Sequence, residues 1–165
     1  MASTRSFIKA VLLTGLIAGI LDLILGIFGH YFLVNGRLPE NMSIYMKNVL
    51  RYISSAAFGK GWGNDTTMEV AGLLFHFFIA LSFAWFYFLI YPNVRLLQKS
   101  IALSSILYGL FVWAVMNMVV VPLSALRGPV IPPDYRKAAL QALVLIVCIG
   151  FPVAARAHNF YKRNR

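Results

Sequence analysis

Four long apolar runs, at about 7–33, 69–91, 100–122 and 138–157, dominate the sequence. Each approaches or exceeds the ~20 residues that a helix needs to cross the hydrocarbon core of a bilayer. Together they take up more than half of the 165 residues, so the rest can only cap and connect them. The expected fold is an all-α integral membrane protein, a four-transmembrane-helix bundle forming one membrane domain over 1–165. Only 12% of the residues are charged, against about 25% in a soluble domain. The first run is too long for a secretory signal core and has no small-x-small cleavage site, so it is expected to remain as a helix.

The net charge of +10 could suggest nucleic acid, but the basic residues sit at the ends of the apolar runs. Arg5, Lys9, Arg95, Lys99, Arg156, Lys162, Arg163 and Arg165 would lie with both termini on one side, with no acid among them. That pattern fits lipid headgroup contacts and places the N- and C-termini in the cytoplasm of a multi-pass inner-membrane protein. The expected partner is the lipid bilayer, with a homodimer or a further membrane protein as a second; no nucleic acid is expected. The lone Cys148 excludes an intrachain disulfide.

Loop 1 is too long for a plain connection. Met42, Tyr45, Met46, Val49, Leu50, Ile53 and Ala57 follow the i, i+3, i+4, i+7 spacing of one helical stripe, with Lys47 and Arg51 on the opposite face. An amphipathic helix over about 42–58 is expected between helices 1 and 2, either lying in the outer interface or packed over the mouth of the bundle. Glycines in FGKGWGND end it. Asn41-Met-Ser43 and Asn64-Asp-Thr66 match the short glycosylation pattern. Loop 3, VPLSALRGPVIPPDYRK, is stiffened by proline and expected to cross the outer end of helices 3 and 4.

Within the first run stands one carboxylate, Asp22. An acid at mid-membrane costs roughly 2.5–3.5 kcal/mol, so it needs a partner or a cavity. At 100° per residue, Gly15, Gly19, Asp22, Gly26 and Gly29 fall near one line with His30 beside it, forming a glycine groove for close helix approach. On helix 2 the matching stripe is Glu69, His76, Ala80, Phe83 and Tyr87, with Gly72 as a further packing glycine, as is Gly109 on helix 3. Counting ~1.5 Å per residue from helix midpoints pairs Asp22 with His76 in depth, and His30 with Glu69 further out. Asn117 and Gln141 fall at one level on helices 3 and 4, and Tyr108 lies deeper, so the polar groups converge on the outer half.

The bland account of these groups is interhelical glue that fixes register, each contact giving ~0.6 kcal/mol. The functional one is a buried Asp/His site in a non-enzymatic membrane protein, serving proton-linked transport, sensing or an accessory role. A metal on His76 and Asp22 is a weaker alternative, since no His-x-x-His or Glu-x-x-His cluster supports it. A small intramembrane enzyme is weaker still, with no serine elbow in view. No cofactor is expected.

RYISSAAFGKG, GLLFHFFIALSF, LYGLFVWAVMNMVVVPLSA and CIGFPVA, in that order, resemble a group of small bacterial four-helix inner-membrane proteins of unknown function. GLIAG and the glycine and histidine pattern of helix 2 give a looser likeness to the YagU-like inner-membrane proteins. The resemblance implies a bundle without established activity. It points to Asp22, Gly72, His76, Tyr108, Gly109, Asn117 and Pro122 as the positions that matter. Asn64 and Asp65 depart from the group's glycine-rich loop 1 ending.

Overall fold

The computed structural model describes residues 4–127 and 134–164, and these are all-α. Its helices are α1 (Thr4–Asn35), α2 (Met42–Phe58), α3 (Asp65–Ile90), α4 (Arg95–Lys99), α5 (Ile101–Leu123) and α6 (Tyr135–Arg163). Of these, α1, α3, α5 and α6 are long and apolar enough to cross a membrane. Within loop 3, residues 128–133 lie outside the described residues.

Side-chain caps set most helix starts. Asn41 and Asn64 accept from the backbone N–H groups of Ile44 and Thr67, Ser100 from Leu103, and Asp134 from Arg136 and Lys137. Each satisfies donors that the first helical turn leaves unpaired. Both asparagines of the glycosylation-like triplets thus have a structural use. α1 stops at Gly36, whose φ of 71° is left-handed and closes the helix where a side chain would be strained.

α1 packs against α3 and α6, α5 packs against α6, and α2 lies along the first half of α3. The closest approaches are at small residues. A Cβ on Gly15 would strike Leu81, one on Gly19 would strike Phe77, one on Gly109 would strike the Ile146 backbone, and one on Gly150 would strike the Ser105 carbonyl. Removing a side chain there lets backbones meet. Gly72 is tighter, since its missing Cβ lets the Leu50 backbone of α2 rest directly on α3. The core between the helices includes Val11, Ala18, Ala84, Tyr87, Phe88, Val112 and Val153, all almost fully buried.

Three of the long helices contain a π turn: Asp22–Gly26 in α1, Met116–Val120 in α5 and Ile146–Gly150 in α6. Two have a sequence cause. Pro122 and Pro152 each stand two residues beyond a π turn, and a proline both lacks the N–H and clashes with the carbonyl four residues back. That carbonyl belongs to Met118 or Cys148, inside the widened turn. The π turn of α1 has no proline and begins at the buried acid itself.

Candidate functional site

Near the end of the bundle that carries the chain termini, α3 and α5 are tied by side chains. Tyr87 hydroxyl bonds Ser104 hydroxyl, Tyr108 donates to the Phe83 carbonyl at 2.5 Å, and Phe86 stacks on Phe111. Toward α2 the two helices leave a cavity of about 670 Å³, inside the ~300–1,000 Å³ range of small-molecule sites. Ala80, Val112, Leu145 and Ile149 form its buried floor, beside Asp22 and His76. Tyr52, Phe58, Phe78, Val119 and Leu123 form an exposed rim, so the mouth faces sideways between α3 and α5 beneath α2.

The polar floor is built by backbone geometry. His76 is buried and its Nε2 lies 2.9 Å from the Gly19 carbonyl oxygen. A carbonyl only accepts, so Nε2 carries the hydrogen and the ring is fixed in orientation. Gly19 is one turn before the π turn at Asp22. The Asp22 carboxyl folds back over its own helix toward Gly26, where a Cβ would strike Oδ1 and approach Val144 of α6. The π turns of α1 and α6 are in contact at this level. No hydrogen bond or ion pair to Asp22 occurs among the described residues, and it opens onto the cavity.

α2 covers the cavity from above and is fixed by a charge network. Arg51 donates through Nε and Nη2 to Glu69 Oε1 at 2.9 and 2.5 Å, and its Nη1 lies 3.1 Å from Asp65 Oδ2. Trp62 Nε1 donates to Ser54 Oγ at 2.7 Å, and the Ala125 N–H donates to the Ala56 carbonyl at 2.8 Å. At the other end Tyr45 packs edge-on to Tyr31. Burial there, and then the neighbouring Tyr31 phenol, raise the Tyr45 phenol above its ordinary 10.0.

Several expectations are corrected by these contacts. Glu69 pairs with Arg51 rather than with His30, whose buried Nε2 has no hydrogen-bond partner among the described residues. A Cβ on Gly29 would meet no neighbouring element within 4 Å among the described residues, so the groove ends before it. The cause is the π turn, which adds about one residue, or ~100°, to the helical phase and turns Gly29 and His30 off the Asp22 line. Arg51, placed on the open face of loop 1, turns inward to α3. Asn117 bonds back to the Trp113 carbonyl at 2.9 Å and makes no hydrogen bond to Gln141, which is half-buried.

A second polar layer, at the terminal end, escaped the sequence reading, which put the polar groups in the α2 half. Tyr91 hydroxyl lies 2.9 Å from His158 Nδ1, Tyr161 donates to the Phe88 carbonyl at 2.7 Å, and Arg156 Nε donates to Thr14 Oγ1 at 3.2 Å. The tyrosine spacing at the end of α3, Tyr87 and the capping Tyr91 one turn apart, was the available signal. No three His, Cys, Asp or Glu side chains among the described residues gather to hold a metal. Comparison with protein-family models, curated proteins and solved structures gives no match.

Proposed function

We propose that this chain is a non-enzymatic multi-pass membrane protein that takes an apolar-chained ligand sideways from the bilayer into the cavity above Asp22 and His76. The observation that carries the reading is the cavity itself, apolar on its walls, with an acid and a histidine on its floor and a mouth between two apolar helices. A carrier or a sensor would use such a site alike. Proton movement at Asp22 would accompany the carrier role, and four spanning helices would then work best as a homodimer.

Exposed Arg95, Lys99, Lys162 and Arg163 at the terminal end support cytoplasmic termini. Exposed Met42, Ile44, Tyr52 and Phe58 support an α2 that dips into the opposite interface. The motif likeness to small bacterial inner-membrane proteins supports that membrane.

The test is retention of 1-dodecanol by the protein in a non-ionic detergent, read by native mass spectrometry. Wild type should hold one molecule, and Ala57→Trp, which fills the mouth from an exposed position, should hold none. Equal retention by both would end the cavity reading. A second reading, a polar core that only sets register, is favoured by the His76–Gly19 bond. Under that second reading wild type holds no 1-dodecanol, and Asp22→Asn leaves any pH-dependent activity unchanged.

A further inference from the structure

We propose that the cavity selects a single-chain aliphatic amine, whose ammonium group pairs with Asp22 while its chain lies against α3 and α5. The proposal rests on the reading of the cavity as a site for an apolar chain and names the headgroup that the floor would take.

The chain has five acids, and four are paired. Glu40 meets Arg37, Asp65 and Glu69 share Arg51, and Asp134 meets Lys137. Asp22 has no such partner among the described residues, although the chain has 15 Lys and Arg in all. Among the described residues no Lys or Arg lines the cavity. Among the described residues the basic side chain beside it on the floor is His76, whose Nε2 hydrogen is given to the Gly19 carbonyl. The carboxyl, lying over Gly26 at the edge of the cavity, therefore has no hydrogen bond among the described residues.

A carboxylate in such surroundings costs several kcal/mol unless a counter-charge arrives with matching hydrogen bonds. A primary ammonium supplies both, as a compact charge with three donors. An alcohol of the same length offers one neutral donor. A fatty carboxylate brings a like charge and is repelled. The site thus ranks the three headgroups as amine, then alcohol, then carboxylate, on one apolar chain common to all.

The experiment offers dodecylamine, 1-dodecanol and dodecanoate at equal concentration to the full chain in a non-ionic detergent, with retention read by native mass spectrometry. Wild type should retain dodecylamine about tenfold more than dodecanol, the gain of a charge-assisted over a neutral contact. In Asp22→Asn that preference should vanish while dodecanol retention stays, and in Ala57→Trp all retention should vanish. Equal wild-type retention of the three ligands would overturn the amine assignment, and this needs no variant to fold. So would an amine preference that survives Asp22→Asn. In both cases dodecanol held by wild type and lost from Ala57→Trp would still support the cavity. Failure of wild type to hold any of the three would overturn the cavity reading with it.

Discussion

The Nε2 hydrogen of His76 is donated to the backbone carbonyl of Gly19 across the α1–α3 contact, at 2.9 Å. One side chain thereby ties the two helices together at the level of the acid. Replacing it with alanine leaves a void and removes the carbonyl's interhelical donor. His76→Ala should lower the unfolding free energy by about 2–4 kcal/mol, the sum expected for a lost buried bond and a core truncation. The midpoint of denaturation in mixed detergent micelles checks this; an unchanged midpoint would refute a structural role for the bond.

Glycines at different points of the same bundle should respond in opposite ways. Gly72→Val would drive a side chain into the Leu50 carbonyl and lift α2 from α3, costing about 1–3 kcal/mol by overpacking. Gly29→Ala meets no neighbouring element within 4 Å among the described residues and should be neutral or stabilising by up to ~1 kcal/mol, the usual helix preference for alanine. The two denaturation midpoints, compared with wild type, give the answer directly.

His30 presents the reverse case from His76. Its buried Nε2 has no hydrogen-bond partner among the described residues, and the desolvation of such a group costs about 1–3 kcal/mol when uncompensated. His30→Phe, similar in shape and apolar, should therefore preserve or raise stability. A loss of more than about 1 kcal/mol in the same denaturation assay would show that the histidine is satisfied after all.

Asp134 carries a pH dependence whose sign is set by its cap. The backbone N–H of Lys137, then that of Arg136, hold its carboxyl below its ordinary 3.8. A depressed acid contributes stability that is present above the unfolded value and is lost as the pH falls through the folded one. The start of α6 should therefore loosen only below about pH 3.8. Hydrogen exchange at the Arg136 and Lys137 amides, followed from pH 6 downward, should show protection vanish there. Asp134→Asn should retain the cap with the pH step gone.

The four apolar helices were legible because length and hydropathy alone decide them, and α2 was legible from its stripe. The Asp22 and His76 depths could be counted because both lie within one turn of the helix midpoints, where counting errors stay small. What the sequence hid was phase. A π turn leaves no mark in hydropathy, so His30 and Gly29 were placed on a face they do not occupy. Pro122 and Pro152 could have warned of π turns in α5 and α6, but the matching position after the π turn of α1 is Phe28, which carries no such signal. Arg51 was assigned by helical face alone, and only the approach at Gly72 brings Glu69 within its reach.

The sideways mouth has a consequence for how occupancy would be counted. With Phe78, Val119 and Leu123 at the rim, the relevant reservoir under the proposed reading is the acyl-chain layer. Affinity would then be a mole fraction among lipids, insensitive to the volume of buffer. Diluting the sample would leave the bound fraction unchanged, whereas adding more lipid would empty the site.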